Sequence, residues 1–370
     1  MLLPLFGGLI ASLIPGRDAT WAWSVSVVAA IFAMAIKLLA AVDASATGFI
    51  DYELGGWPAE YGIGYRVDHL NASIILVVSL IALLTTIYAK PSVEDEIPTD
   101  RHNFFWAVWL LAITGLLGIT ITGDTFNIYV LLEISSLTVY TLIAMGKGRD
   151  RRALTASLKY LILGSIGATF ILLGIGYLLM LTGTLNMADM HEQLLALVND
   201  PTKAGTYERT LMVAFAFLAV GLSMKMALFP LHMWLPDAYT YAPSAVSAMV
   251  ASTATKVGVY MAFRFVFTIF GEGVYSSEAS LMMLGFCACL GIIFSSLNAI
   301  TARNVKRVLA YSSVGQLGYI VLGFSLANLA GVTSSVLHIF NHAVIKGAMF
   351  MAVGCVVLRI GSARVDMLKG

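Results

Sequence analysis

GLSMKMALFPLHMWLPDAYTYAP, residues Gly221–Pro243, is the stretch that decides the fold. It lies within an apolar run long enough to span a bilayer, and yet it carries Lys225, His232 and Asp237. Its prolines are Pro230, Pro236 and Pro243. A proline inside a helix removes a backbone donor and clashes with the preceding turn, so this stretch predicts a broken span. Interrupted spans mark ion and substrate sites in transporters. The structural alternative is a kinked span whose lysine reaches the membrane surface.

The composition is that of an integral membrane protein. Of the 370 residues, 59% are hydrophobic and 12% are charged, with a mean hydropathy of +0.86. Soluble domains carry about a quarter charged residues. The net charge of +1 says nothing about nucleic acid, and the sequence has no basic patch with interleaved aromatics, so no nucleic-acid partner is predicted. The three cysteines lie in apolar runs, which indicates neither a disulfide framework nor metal-ligand spacing.

Apolar segments of spanning length recur along the whole chain. Because a spanning helix needs about 20 mostly apolar residues, the sequence predicts an all-α membrane protein with about eleven transmembrane helices. They cover residues 2–15, 21–42, 70–90, 104–121, 125–146, 153–183, 208–238, 243–270, 279–300, 305–327 and 331–358. The seventh is discontinuous, and residues 43–69 form an extended loop.

Basic residues are distributed unequally between the two sides of these spans. Loops after odd-numbered spans, together with the tail, hold thirteen, and loops after even-numbered spans hold three. The positive-inside rule therefore places the N-terminus outside and the tail inside. Six basic residues fall within spans, namely Lys37, Lys159, Lys225, Lys256, Arg264 and Lys346. Lys37, Lys159 and Arg264 lie nearer span ends and are predicted to snorkel to the surface.

Several ionisable residues lie deep within predicted spans. Glu133 is in the fifth span, Lys225 in the seventh and Lys256 in the eighth. His338, His342 and Lys346 follow at i, i+4 and i+8 in the eleventh, so they share one helix face. A charge at mid-bilayer costs roughly 2.5–3.5 kcal/mol on insertion scales, and such residues indicate function by default.

The chemistry that these side chains permit is proton relay. Burial in an apolar medium favours the neutral form of an amine or a carboxyl group, whereas a nearby opposite charge favours the charged form. A lysine near a glutamate can therefore switch state as the carboxylate approaches or retreats, and histidine suits a connecting relay. The structural alternative for Glu133, Lys256 and the histidines is that they only hold helices together. The sequence has no phosphate loop, catalytic triad, haem or zinc spacing, so it predicts a transporter subunit with no catalytic residue, cofactor or metal.

Five segments resemble one known family, the antiporter-like subunits of respiratory complex I, Mrp-type cation/proton antiporters and membrane-bound hydrogenases. They are GLSMKMALFPLHMWLPDAYTYAPSAVSAMVASTATKVGVY, DTFNIYVLLEISSLTVYTLIA, NVKRVLAYSSVGQLGYIVLG, HIFNHAVIKGAMFMAVG and the loop LGGWPAEYGIGYRVDHLNA. Together they extend over nearly the whole chain. The pattern is most similar to the D-type subunits of the Mrp antiporters.

The resemblance implies two inverted five-helix repeats, each with a broken helix that carries a titratable residue. It implies that Glu133 pairs with Lys225, and that Lys256, His338, His342 and Lys346 carry the hydrated path onward. Residues 1–103 would be an N-terminal three-helix segment, residues 104–270 the first repeat and residues 279–370 an incomplete second repeat. Family members carry further spans with a second broken helix. The chain is therefore expected to be a fragment, a split subunit or a shortened member.

Three functions are compatible with these features. The first is a proton-conducting subunit of a multi-subunit Mrp-type Na⁺/H⁺ antiporter. The second is a proton-pumping membrane-arm subunit of a complex I-like NADH:quinone oxidoreductase or a membrane-bound hydrogenase. The third is a scaffold that conducts nothing. The first two imply other membrane subunits as partners and protons as the transported ion, with sodium exchanged in the first alone. Both imply the plasma (inner) membrane of a bacterium or archaeon.

Overall fold

The fold is a bundle of long apolar helices, seen in a computed structural model that describes residues 1–59, 61–274 and 278–368. The helices are α1 (Leu2–Ala11), α2 (Arg17–Asp43), α3 (His69–Glu96), α4 (His102–Ile121), α5 (Thr125–Ala144), α6 (Arg152–Thr182), α7 (Met187–Val198), α8 (Glu208–Met226), α9 (Leu235–Tyr241), α10 (Ser244–Phe263), α11 (Gly271–Val274), α12 (Glu278–Thr301), α13 (Val305–Ser325) and α14 (Leu329–Ile360). The strands are β1 (Phe49–Glu53) and β2 (Gly64–Asp68). Within the described ranges, ten helices are long and apolar enough to cross a membrane.

The predicted all-α membrane fold is therefore confirmed, with one difference at the N-terminus. The segment predicted as the first span is helix α1, which has only 10 residues. At a rise of ~1.5 Å per residue such a helix is ~15 Å long, about half of the hydrocarbon thickness. A helix of this length is too short to cross the hydrocarbon core of a bilayer. The N-terminal orientation stays a prediction, as does the division into repeats, whose last residues 369–370 lie outside the described ranges.

Two elements of the fold were not predicted. The loop at residues 43–69 contains an antiparallel hairpin in which Phe49 of β1 lies opposite Asp68 of β2. Asp68 then begins α3 with a reciprocal cap, because its side chain accepts the Asn71 N–H at 3.1 Å while Asn71 Oδ1 accepts the Asp68 N–H at 2.7 Å. In the loop after α6, Asn186 caps the short helix α7.

Helix α10 is the centre of the bundle. Every one of its residues is buried, and it packs against α3, α4, α5, α8, α9, α13 and α14. More than half of its residues are Gly, Ala, Ser or Thr, and small residues let helices approach closely inside a membrane. Beyond Phe263 the chain continues as a π-helical turn, Arg264–Ile269.

The predicted seventh span is discontinuous, as expected. Helix α8 ends at Met226, and Ala227 follows with φ of 59°, a left-handed conformation that costs a non-glycine residue on the order of 1 kcal/mol. Pro230 lies in the break, after a cis peptide bond, and Pro236 lies in the first turn of α9, where its missing N–H leaves no bond unmade. The Trp234 indole N–H donates to the Met224 carbonyl at 2.9 Å, which satisfies a carbonyl freed by the break.

Candidate functional site

The acid and the lysine predicted to pair are brought together by α5 and α8. Lys225 lies in the last turn of α8, is 8% exposed and donates a hydrogen bond to Ser136 Oγ. Ser136 stands three residues after the half-buried Glu133 on α5, so the two share one helix face. The charges of Glu133 and Lys225 interact, although no direct ion pair joins them in the described part of the chain. A cation is also favoured at a helix C-terminus by the helix dipole.

An aromatic stack forms one wall around this lysine. The Lys225 ammonium lies 5.9 Å from the centre of the Tyr160 ring. Tyr160 stacks on Trp234 with centroids 4.1 Å apart and meets the edge of Tyr140 at 4.6 Å. Because Trp234 belongs to the break and Tyr160 to α6, the stack ties the position of Lys225 to the broken helix.

A second group of titratable side chains lies between α10 and α14. Lys256 is 2% exposed and donates to the Ala251 carbonyl of its own helix. Lys346, also 2% exposed, donates to the Leu309 carbonyl of α13 at 3.0 Å. The charges of the two lysines interact with each other and with His342. This group therefore brings together side chains that are positively charged only when they hold an extra proton.

The two histidines continue the row along α14. His338 Nε2 lies 2.7 Å from Gln316 Oε1 of α13. Its ring is stacked on that of His342 with centroids 6.2 Å apart. His342 is 2% exposed, and neither of its ring nitrogens has a hydrogen-bond partner among the described residues. Buried imidazole nitrogens without partners are costly in a purely structural residue.

The two groups meet at the middle of α10. A Cβ built at Gly258 would lie 3.3 Å from the backbone of Met226, so α10 passes directly beside the end of α8 that carries Lys225. Lys256 is two residues from this crossing. Lys225, Lys256, Lys346 and His342 are thus buried on α8, α10 and α14, and the partly buried Glu133 and His338 lie on α5 and α14. The arrangement can hold and exchange protons between amines, a carboxylate and imidazoles.

Some basic residues behave differently from their prediction. Arg264 does not snorkel, because its side chain is 12% exposed and binds Asp68 at 2.7 Å. Lys159, predicted to snorkel as well, is 52% exposed and also binds Asp237 of α9 at 2.6 Å. Lys306, at the start of the predicted span 305–327, was counted among the thirteen basic residues of the loops and tail, but it is 4% exposed and lies in the first turn of α13. Polar partners thus hold Arg264 and Lys306 within the protein.

Several residues of the site were not singled out from the sequence. Ser136, Tyr160 and Trp234 contact Lys225 or its neighbours, and hydroxyl or aromatic residues in a span carry no signal of their own. Glu96, buried at the end of α3, lay beyond the predicted end of its span. A glutamate two residues before a proline beside a span is usually a surface residue, so its burial could not be inferred.

The family described as "NADH:quinone oxidoreductase/Mrp antiporter, TM" matches residues 122–369. The chain belongs to this family. The resemblance predicted from the sequence motifs is thereby confirmed. The matched region contains the glutamate helix α5, the broken helix α8–α9 and all six relay candidates.

Relatives in the NADH:quinone oxidoreductase/Mrp antiporter family come from two kinds of complex. The N-type subunit of the NADH-quinone oxidoreductase of Desulforudis audaxviator is 39% identical over 371 residues, which cover 100% of this chain and 72% of the relative. The D-type subunit of the Na⁺/H⁺ antiporter of Alkalihalophilus pseudofirmus is 28% identical over 90% of this chain and 65% of the relative. Its Bacillus subtilis counterpart is 29% identical over 87% and 62%. The chain thus spans about two thirds of the length of these relatives.

Two solved structures of respiratory and antiporter complexes share the fold of this family member. A chain of the archaeal membrane-bound sulfane sulfur reductase, a respiratory membrane complex, superposes with a TM-score of 0.90 at 31% identity and covers 100% of this chain and 72% of that chain. A chain of the Mrp complex from Dietzia sp. DQ12-45-1b gives a TM-score of 0.86 at 26% identity over 98% and 64%.

Proposed function

We propose that this chain is a proton-conducting subunit of a hetero-oligomeric membrane complex. The observation that carries the proposal is the contact of the buried Lys225 with Ser136, three residues from Glu133 on one helix face. An ammonium group buried between helices without a direct ion pair is poorly explained by a structural role in holding the helices together. A directly paired or exposed charge could fill that role at a lower desolvation cost. It is well suited to gaining and losing a proton.

The electrostatic interaction between Glu133 and Lys225 supplies the step that switches Lys225 between its charged and neutral forms. Two unit charges ~6 Å apart at an effective dielectric constant of ~20 attract by about 3 kcal/mol. Loss of this attraction, when the carboxyl group is protonated or moves away, changes a proton equilibrium by roughly a hundredfold. The proton released from the Lys225 ammonium then passes to Lys256 across the Gly258 crossing.

The second group of residues receives and relays that proton. Lys256 and Lys346 each donate to a backbone carbonyl, and Lys256 also donates to the Thr255 hydroxyl at 3.4 Å; no carboxylate is in contact with either lysine in the described ranges. Two adjacent ammonium groups repel, so occupancy of one by a proton opposes occupancy of the other. His342 and His338 offer neutral acceptors next in line, toward Gln316.

Two assemblies are candidates for the complex. An Mrp-type Na⁺/H⁺ antiporter is favoured by the two antiporter relatives and by the Mrp structure. A complex I-like NADH:quinone oxidoreductase is favoured by the 39% identical oxidoreductase relative. In both, the partners are other membrane subunits, the transported ion is the proton, and sodium is exchanged in the first alone. We place the chain in the prokaryotic plasma membrane with its N-terminus outside, on the basis of the thirteen-to-three distribution of basic residues.

The test is proton flux through the assembled complex in liposomes, with a pH-sensitive dye inside. Lys225→Ala and Glu133→Gln are expected to lower the flux by roughly a hundredfold, the range of a lost proton-transfer group, while the complex still assembles. A sodium gradient that drives wild-type flux indicates the antiporter, and flux driven by NADH and quinone indicates the oxidoreductase. Unchanged flux in both variants would show that the chain is a scaffold.

A further inference from the structure

The junction between α9 and α10 is held by a charge at each helix end. Both carboxylate oxygens of Glu96 accept the Ser244 N–H, each at 3.1 Å, so Glu96 caps the N-terminus of α10 from a different helix. Ser92 strengthens this cap, because its hydroxyl donates to Glu96 at 2.8 Å and accepts the Ala245 N–H at 3.1 Å. A carboxylate is the group that a helix N-terminus favours.

Lys306 occupies the opposite position at the end of α9. Its ammonium donates to the Ala242 carbonyl at 3.1 Å, immediately before the junction. The charges of Lys306 and Glu96 interact, and Arg149 lies 3.9 Å from Glu96. Lys306 is 4% exposed, although it stands in the first turn of a helix where a lysine could reach the surface. Its side chain is directed inward.

A cavity of about 220 Å³ lies beside this junction, and the exposed residues Arg152 and Arg364 also line it. The charged or titratable groups that line it around Lys306 are Glu96 from α3, Arg149 and Asp150 from the segment between α5 and α6, Arg152 at the start of α6, Tyr241 from α9 and Arg364 after α14. Asp150 binds Arg152 at 2.7 Å, and Arg364 binds Asp366 at 2.7 Å. Lys306 and Glu96 are the buried charges at its floor.

The same face of α13 leads from Lys306 to the relay. Lys306, Leu309 and Ser313 are buried at i, i+3 and i+7. The Leu309 carbonyl accepts hydrogen bonds from Lys346 Nζ at 3.0 Å and from Ser313 Oγ at 2.9 Å. Lys306 and Leu309 are separated by ~4.5 Å along the helix axis, so the carbonyl that accepts the Lys346 ammonium lies about one turn from Lys306 on the same helix.

We propose that Lys306, held by Glu96, is the proton-uptake site of the inner face and delivers protons to Lys346. The acid that enters the cavity is hydronium or a protonated buffer molecule. It transfers its proton to the neutral amine of Lys306, forming the ammonium ion and releasing water or buffer base. The ammonium then gives one N–H proton to the neutral amine of Lys346 and returns to the amine. This step rests on the proposed function, because it supplies the row that Lys225 and Lys256 serve.

The test replaces Lys306 in the complete complex in liposomes and measures proton uptake from the inner face. Lys306→Arg keeps a donor for the Ala242 carbonyl but cannot release a proton in a protein, so it separates uptake from the structural role. We expect normal assembly and uptake lowered by roughly tenfold or more. Lys306→Ala leaves room at the cavity floor, and added methylamine is expected to restore part of its uptake. Lys147→Arg and Lys147→Ala, which alter an exposed lysine on the same face outside the cavity, are the matched controls.

Each outcome decides the proposal. Slow uptake in Lys306→Arg, with methylamine rescue of Lys306→Ala and no rescue of Lys225→Ala, supports it. Full uptake in Lys306→Arg overturns it, and so does a loss in Lys306→Ala that accompanies a lower melting temperature and resists methylamine. If Lys225→Ala is inactive while both Lys306 variants conduct normally, this inference alone fails. If Lys225→Ala also conducts normally, the proposed function fails with it.

Discussion

The ion pair between Asp68 and Arg264 gives a quantitative test of how the C-terminal end of α10 is held. Arg264 Nη2 lies 2.7 Å from Asp68 Oδ1, and the same oxygen accepts the Asn71 N–H at 3.1 Å. Arg264 Nε in turn donates to the Tyr260 hydroxyl at 2.8 Å. One carboxylate therefore joins the hairpin, the start of α3 and the end of α10. Asp68→Asn retains an oxygen for the cap and removes the charge, whereas Asp68→Ala removes both.

The expected magnitudes follow from the partners of this oxygen. Loss of a helix cap costs about 1 kcal/mol, and loss of a hydrogen bond to a charged group costs about 1.5–3 kcal/mol. The Asp68 side chain is 31% exposed, so solvent screening places the pair at the lower end of that range. We expect the free energy of unfolding to fall by about 1–2 kcal/mol in Asp68→Asn and by about 2–4 kcal/mol in Asp68→Ala.

The contribution of this pair also has a defined dependence on pH. Partial burial acts to raise the pKa of the Asp68 carboxyl, but the hydrogen bond and charge of Arg264 and the amides of Asn71 and Leu70 outweigh it and lower the pKa. A carboxyl whose pKa is lower in the folded state stabilises fully above its unfolded value of ~3.9. The stability is therefore present at neutral pH and is lost as the pH falls through the folded pKa. Asp68→Asn should remove this acid-dependent part.

The assay is unfolding of the purified protein in mild detergent by titration with dodecyl sulfate, combined with a double-mutant cycle. The cycle of Asp68→Asn with Arg264→Gln is expected to give a coupling energy of about 1–2 kcal/mol. Asp51→Asn is the control on the same hairpin, because Asp51 is 52% exposed and lies 3.8 Å from Arg66. It should change stability by less than ~0.5 kcal/mol. A coupling energy for Asp68 and Arg264 as small as that of the control would refute the reasoning.

Two further substitutions test the packing and the polar contact of Lys225. Gly164→Ala would place a Cβ well inside van der Waals contact with the Tyr140 hydroxyl, so we expect a loss of about 1–3 kcal/mol in the same unfolding assay. Gly176→Ala, on the same helix with nothing within 4 Å, should be neutral or stabilising by up to ~1 kcal/mol, and equal effects would contradict the close approach. Ser136→Ala removes the acceptor of the Lys225 ammonium and is expected to lower proton flux in liposomes with assembly intact; wild-type flux would show that the contact is dispensable.

The sequence allowed the fold and the charged residues of the site to be predicted for a simple physical reason. Apolar runs of spanning length and charges within them can be read from the local sequence. Both are informative because a span that is too short and an unpaired charge within the bilayer are energetically costly. Glu133, Lys225 and Lys256 were therefore identifiable from their positions alone. The helix break was identifiable as well, because Pro230 cannot continue a regular helix.

The contacts that complete the site are not local, and they could not be predicted in the same way. Lys306 stands beside a predicted inner loop, where positive charge is ordinary, and only the junction of α9 with α10 draws its side chain inward. Arg264 resembled a snorkelling residue until β2 brought Asp68 to it. A basic residue near a span end thus has two possible environments, and the partner that decides between them comes from a distant part of the chain.

The close packing of α10 implies that the relay depends on side-chain movement and not on helix movement. A Cβ at Gly258 would lie 3.3 Å from the backbone of Met226, and one at Gly347 would lie 3.1 Å from Ser252 Oγ. Helices in such contact cannot approach further, and separating them would expose the buried polar groups of α10. Lysine stems are long and flexible, whereas the Ala251 and Leu309 carbonyls that receive their ammonium groups are fixed. Proton transfer along this row is therefore expected to proceed by lysine side chains changing acceptors within a rigid helical frame.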